Sequence, residues 1–114
     1  MNQSERRRHP RTAMVTRVTY LTAGVDQFYY SRDISVGGMF LETRKPYPVG
    51  AEVELSFSLP GRDRRLEFKA RVARSVAFDL DHPERTPGMG LEFERPPREA
   101  VNEISQYLQE LREP

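Results

Sequence analysis

The sequence predicts a small all-β fold with a C-terminal helix, a six-stranded antiparallel barrel of the split-barrel type. Three observations predict it. The chain has 114 residues, which is a one-domain length. Apolar and polar residues alternate with period two through most of the chain, and the spacing becomes helical only in the last segment. Six short antiparallel strands in so short a chain favour closure into a barrel.

The alternation is clearest in the fourth and fifth predicted strands. Across residues 52–59 the odd positions are apolar and the even positions are polar, and residues 60–63 follow as a Pro-Gly turn. Residues 66–72 return with the same alternation. Val76 and Phe78 continue the apolar phase, so we expect a long strand that bends, with both side chains on the inward face.

The other strands are predicted from β-branched and aromatic residues between turn residues, and they cover residues 14–21, 27–34, 39–42 and 89–93. Residues 22–26, which include Gly24, form the predicted first hairpin loop. A Gly-Gly break at residues 37–38 separates the second strand from the third.

The last segment is predicted to be an amphipathic helix over about residues 97–112. Val101, Ile104, Leu108 and Leu111 recur at helical spacing, and two prolines precede them. The apolar stripe must cover other apolar groups. Closing one end of the barrel is the favoured role, and a dimer seam is the alternative.

Composition excludes several classes of function. The chain has no cysteine, so it has neither disulfides nor thiolate metal ligands, and its net charge is only +1. No apolar leader and no stretch long enough to span a membrane is visible, which favours a cytoplasmic location. No nucleophile–base pair is evident, so we expect no enzymatic activity. We also expect no metal site, although Asp79, Asp81, His82 and Glu84 crowd one predicted loop.

Basic charge is concentrated in the first residues of the chain. Arg6, Arg7, Arg8 and Arg11 lie in one short segment that contains no lysine. A guanidinium group donates two parallel hydrogen bonds to phosphate or to the O6/N7 edge of guanine, and its flat face stacks on a base. Residues 1–12 are therefore predicted to be a flexible ligand-binding arm, and residues 13–114 the barrel with its helix.

A second motif, Asp-x-Ser-x-x-Gly, begins at Asp33 and includes Ser35 and Gly38. A carboxylate can accept hydrogen bonds from the N1–H and N2–H groups of guanine, and a serine hydroxyl can donate to phosphate. The glycine allows close approach of a ligand. Local capping of a turn is the alternative role for these side chains.

Strand pairing is expected to bring the two motifs together. If Leu21 pairs with Gln27 across the first hairpin, Met14 faces Ile34 and Arg11 lies near Gly37. A separation of 22 residues in sequence thereby becomes proximity in space.

Together the motifs resemble the paired signature of PilZ domains, bacterial receptors for cyclic di-GMP. Residues 38–43 and 88–93 also resemble the third and last strands of that family, and the resemblance covers roughly residues 5–111. It implies a non-catalytic receptor. Arg7 and Arg11 would contact guanine edges and phosphates, Asp33 and Ser35 would hold a guanine, and Gly38 would keep the turn open.

The resemblance gives Arg6 and Arg8 secondary roles. The residue before the first signature arginine influences, in this family, whether one ligand or a stacked pair binds, and Arg6 occupies that position. Arg8 is a candidate for an additional phosphate contact. The ligand is expected to order the arm and change the binding of an unidentified effector protein. Two alternatives stay open: a protein-interaction module that does not bind nucleotide, and, disfavoured by the low net charge, a single-stranded nucleic-acid binder. A homo-oligomer also stays open.

Overall fold

The computed structural model describes residues 14–112, which form a closed antiparallel barrel followed by a helix. The elements in chain order are β1 (Met14–Tyr20), β2 (Val25–Ile34), β3 (Gly38–Glu42), β4 (Glu52–Ser58), β5 (Arg65–Val76), β6 (Gly88–Glu94) and α1 (Arg98–Arg112). The strand order is β1, β2, β3, β6, β5, β4, and β4 pairs with β1 to close the barrel. The predicted fold class is confirmed. The arm residues Arg6, Arg7, Arg8 and Arg11 lie outside the described part of the chain.

The core fills the inside of the barrel with the inward residues of each strand. β4 illustrates the pattern, because Val53, Leu55 and Phe57 are almost fully buried while Glu52 and Glu54 are exposed. These side chains belong to one apolar cluster that all six strands and α1 supply. The period-two alternation of the sequence therefore corresponds to an inside and an outside of the barrel.

The helix α1 packs its apolar stripe onto this core. Ile104 is fully buried and Ala100 nearly so, and both join the core cluster. Arg62, in the loop between β4 and β5, pairs with Glu103 at 3.3 Å and with Glu110 at 2.6 Å on the outer side of the helix. The helix is thus held against the end of the barrel where β4 turns into β5.

The first hairpin is tighter than the sequence predicts. β2 begins at Val25 rather than Gln27, and Tyr20 pairs with Val25. Met14 consequently faces Ser31 and not Ile34, so the predicted register is wrong by three residues. The physical reason is a short turn after Tyr20. In this turn Gly24 has a positive φ of 68°, which residues with a side chain rarely adopt.

β5 is long, as predicted, but its alternation does not continue to the end. The pairing with β6 shifts between Val72 and Arg74, which marks a β-bulge at residue 73. The extra residue reverses the phase of the strand, so Val76 lies opposite Gly88 on the outer side of the barrel. Phe78 lies beyond the end of the strand and is exposed. The prediction of an inward Val76 and Phe78 is therefore wrong.

Candidate functional site

The predicted Asp-x-Ser-x-x-Gly motif forms the turn between β2 and β3. The Ser35 hydroxyl accepts hydrogen bonds from the amides of Gly37 and Gly38, both at 3.2 Å, and lies 3.3 Å from the Gly38 carbonyl, to which it donates. The Ser35 amide also donates to the Gly38 carbonyl at 2.8 Å. One hydroxyl has one proton and two lone pairs. These local bonds use all of them, so Ser35 holds the shape of the turn.

Gly38 is required by the packing of two strands. It pairs with Glu92 of β6, and a Cβ atom at this position would overlap the carbonyl oxygen of Leu91. Its neighbour Gly37 has open space where a side chain would project, and its carbonyl accepts a hydrogen bond from the Phe93 amide at 2.9 Å. The turn is therefore fixed to β6 by backbone contacts that exclude a side chain at Gly38.

Two β-bulges direct charged side chains to one outer surface. In β2 the inward residues are odd-numbered, so Asp33 would point inward if the alternation continued. The pairing with β3 shifts between Ser31 and Asp33, and Asp33 instead lies opposite the outward residue Phe40. The bulge in β5 acts in the same way on Arg74, which lies opposite Gly90. Bulges commonly re-aim a side chain in this manner.

The result is one lateral row of outward residues across four strands: Asp33 on β2, Phe40 on β3, Gly90 on β6 and Arg74 on β5. Three strand spacings separate its ends, about 14 Å measured along the barrel wall. A carboxylate and a guanidinium group thus bound a stretch whose floor carries only one ring and a glycine. We call this surface the glycine face.

The glycines of β6 allow the Phe40 ring to lie down on the strand. A Cβ at Gly88 would lie 2.6 Å from the tip of that ring, whereas a Cβ at Gly90 would make only ordinary contacts, 3.7 Å from Arg74 and 4.0 Å from Phe40. The Arg74 guanidinium carbon lies 5.7 Å from the centre of the Phe40 ring, within the range of a cation–π contact. The face is therefore partly aromatic and flanked by a cation.

A second row, formed by Gly38, Glu92 and Arg71, lies beside the first. Arg71 pairs with Glu92 at 2.5 Å and with Glu94 at 4.0 Å, and all three side chains are well exposed. Such exposed pairs contribute little to stability. Arg71 is therefore a cation that an anionic ligand could recruit at small cost.

Sequence reasoning found Asp33 but assigned no site role to Phe40, Gly90, Arg71 or Arg74. The available signal was the Gly-x-Gly pattern inside a predicted strand, because glycine in a strand interior marks a close approach of backbone or ligand. Arg74 could not be placed, because simple alternation directs it into the core.

The first described strand begins next to the strand that carries Asp33. Met14, the first described residue, pairs with Ser31, two residues before Asp33. Because β1 and β2 are antiparallel, β1 begins at the end of the barrel that carries the β2–β3 turn. The proximity of the two motifs stays a prediction, because Arg7 and Arg11 lie outside the described residues.

A family model of the PilZ domain matches residues 5–110 of the chain. The chain belongs to the PilZ domain family. The resemblance drawn from the arginine pair and the Asp-x-Ser-x-x-Gly motif is thus confirmed. No curated protein matches the chain.

Two solved structures show the same fold. The inhibitor of motility MotI/DgrA of Bacillus subtilis superposes with a TM-score of 0.69 at 20% sequence identity, over 86% of this chain and 46% of that protein. The PilZ domain of CeSA from a cellulose-synthesizing bacterium superposes with a TM-score of 0.61 at 14% identity, over 91% of this chain and 97% of that domain. This PilZ chain thus spans less than half of the Bacillus protein and nearly all of the CeSA domain.

Residues 14–112 contain neither a membrane-spanning helix nor a cluster of metal-ligating side chains. In that range, no helix is long and apolar enough to cross a membrane. Nor do three or more His, Asp or Glu side chains converge there as a metal site would require. The loop predicted to be crowded has His82 Nδ1 at 3.4 Å from Glu84, and Asp79 caps the amide of Asp81 at 2.9 Å.

Proposed function

We propose that this PilZ chain is a non-catalytic receptor that binds cyclic di-GMP on the glycine face. The observation that carries the proposal is the row from Asp33 to Arg74, which combines an acceptor, an aromatic floor and a cation on adjacent strands of the outer surface. A guanine base offers N1–H and N2–H donors to a carboxylate and a flat ring to stack, and the ligand's phosphates require cations.

The arm supplies the remaining cations in this proposal. Arg11 lies three residues before Met14 and Arg7 lies seven residues before it. An extended chain covers at most about 3.5 Å per residue, so their backbones can reach about 10 Å and 25 Å from the start of β1. Both can therefore reach the glycine face, whose row is about 14 Å long. Arg6 and Arg8 are secondary contacts, and Arg6 favours a stacked pair of ligands.

The proposal gives the three residues of the turn different roles. Asp33, exposed on the outer surface, accepts from guanine. Ser35 acts indirectly, because its hydroxyl holds the turn together. Gly38 permits the contact between β3 and β6 that fixes the turn. Binding then orders the arm against the barrel, and an effector protein recognises the altered surface.

Calorimetric titration of the full chain with cyclic di-GMP tests this proposal. Arg7→Ala, Arg11→Ala and Asp33→Ala should each raise the dissociation constant about 5- to 150-fold, because one good contact to a base contributes about 1–3 kcal/mol. Arg85→Ala is the matched control, since Arg85 is an exposed cation in the β5–β6 loop, and it should bind like the unmodified chain.

Two further titrations test the recognition of the base and the position of the site. Cyclic di-AMP should bind far more weakly, because adenine does not offer Asp33 the paired N1–H and N2–H donors. Gly90→Leu should abolish binding, because a large side chain there would fill the floor between Phe40 and Arg74. Undiminished binding by Arg7→Ala, Asp33→Ala and Gly90→Leu together would refute the assigned site. Absence of any binding by the unmodified chain would favour the protein-interaction module.

A further inference from the structure

The outer side of the β1–β2 hairpin carries an apolar patch that faces solvent. Phe28 is 67% exposed, Tyr30 is 61% exposed and Val15 is 49% exposed. Val15 lies directly opposite Tyr30, and Arg17 lies directly opposite Phe28, so the four side chains form one contiguous block. We call this block the hairpin face.

The sequence of β2 is unusual for a strand with one solvated side. The run Phe28-Tyr29-Tyr30 places aromatic residues on both sides, with Tyr29 buried in the core and its two neighbours outside. Antiparallel strands with one solvent-exposed side normally alternate apolar and polar residues. An apolar run is typical of a strand that is covered on both sides, so the hairpin face has the composition of a covered surface.

We propose that a second copy of this chain covers the hairpin face, with the two-fold axis parallel to the strands and between β1 and β2. Rotation about that axis places β1 of one copy over β2 of the other at the same height. Val15 then packs on Tyr30 of the second copy. The Arg17 guanidinium lies over the Phe28 ring of the second copy, a favourable cation–π arrangement.

The arrangement of side chains on the hairpin face favours a second copy as the occupant. An isologous contact requires a surface that is complementary to itself. The hairpin face meets this requirement, because each of its rows pairs an aromatic residue on β2 with an aliphatic or cationic residue on β1. In the next row, Thr19 lies opposite Asp26 and donates to it at 2.7 Å, which gives the contact a polar rim. An axis perpendicular to the strands and level with the Arg17–Phe28 row would instead bring two Arg17 side chains together.

The available area predicts a reversible dimer. With about 150–250 Å² for a whole aromatic side chain, the exposed parts of Phe28, Tyr30 and Val15 amount to roughly 300 Å². A stable interface buries about 800 Å² per partner. The three side chains would form the apolar centre of such an interface, and neighbouring polar residues would complete it. The proposal does not depend on ligand binding, because no residue of the hairpin face belongs to the glycine face.

Sedimentation equilibrium of the full chain without nucleotide tests the proposal. The unmodified chain should change from monomer to dimer with rising concentration. Phe28→Ser and Arg17→Glu should each raise the dimer dissociation constant at least tenfold. Val49→Ser is the matched control, because Val49 is 64% exposed in the β3–β4 loop and lies outside the hairpin face. Since all three positions are exposed, melting temperatures near that of the unmodified chain will verify folding.

Cysteine cross-linking tests the direction of the axis, and the native chain contains no cysteine to interfere. A mixture of Thr19→Cys and Asp26→Cys chains treated with a short bis-maleimide should cross-link more than either variant alone, because the proposed axis brings these two rim positions together. A chain that is monomeric at all concentrations would overturn the proposal and leave the face to a different protein. A dimer unaffected by Phe28→Ser, or equal cross-linking in all samples, would overturn it as well.

Discussion

Two adjacent glycines in the β2–β3 turn should respond in opposite directions to the same substitution. A Cβ at Gly38 would overlap the carbonyl oxygen of Leu91, whereas a Cβ at Gly37 would meet no atom within 4 Å. Neither residue has a positive φ, so backbone conformation does not separate them. The difference between the two variants therefore reports the close contact of β3 with β6 and little else.

The magnitudes follow from the two environments. Ala at position 37 restricts the unfolded chain at no cost in the native state and should stabilise by up to about 1 kcal/mol. Gly38→Ala must move β3 away from β6, and overpacking of this kind costs about 1–3 kcal/mol. At about 2.1 cal/mol/K per residue, a chain of 114 residues shifts its melting temperature by about 4 °C per kcal/mol. Gly38→Ala should thus melt about 4–12 °C lower.

Thermal unfolding followed by circular dichroism measures both variants, with Gly90→Ala as a third. Its Cβ would lie 3.7 Å from Arg74, an ordinary contact, so its melting temperature should stay close to that of the unmodified chain. If Gly38→Ala melts like Gly37→Ala, the close approach of the two strands does not constrain the fold and the steric reasoning is wrong. If Gly38→Ala does melt at a lower temperature, a loss of ligand binding by this variant is explained by displacement of the β2–β3 turn. It is then not evidence for a direct contact between Gly38 and the ligand.

Three further predictions concern the interior of the barrel. Thr16 is fully buried and its hydroxyl has no hydrogen-bond partner within the described residues. Thr16→Val should therefore leave the free energy of unfolding in urea unchanged or raise it by up to about 1 kcal/mol. A clear decrease in that free energy would show that the hydroxyl has a partner. Ile104→Ala should cost about 2–5 kcal/mol by the same measurement, whereas exposed Gln106→Ala should cost almost nothing; equal costs would contradict the docking of α1. Burial, and secondly Tyr47, raises the pKa of Tyr29 above its usual 10.0, so the stability contribution of the neutral phenol is complete below pH 10 and is lost as the pH rises toward the folded pKa. The free energy of unfolding should therefore fall above about pH 10, and Tyr29→Phe should flatten that fall.

The parts of the fold that depend on simple alternation could be predicted from the sequence. β4 was predicted within one residue of its observed end, and the inward side of β5 was correct up to Val72. Prediction failed where one residue changes the phase. The first hairpin loop is residues 21–24 instead of the predicted 22–26, which shifts the register by three, and the bulge at residue 73 places Val76 outside. Period-two reasoning has no information about an extra residue in a strand.

The residues of the candidate site also differ in whether the sequence alone could identify them. Asp33, Ser35 and Gly38 could be identified because they form a local motif whose members are close in sequence. Local hydrogen bonds explain the spacing of Ser35 and Gly38. Arg74 and Phe40 could not, because their proximity depends on strand order: β3 pairs with β6, and β6 with β5, between segments far apart in the chain.

The two bulges that the sequence did not predict also position residues of the proposed binding site. In both β2 and β5, regular alternation would direct a charged side chain into the apolar core, where an unpaired charge is very costly. One extra residue in each strand turns Asp33 and Arg74 outward instead, and places them at the two ends of the same row. A fold that only needed to protect its core could have used apolar residues at both positions. That both positions carry charge, and that both charges bound one glycine-floored surface, is the arrangement expected if the bulges position ligand contacts.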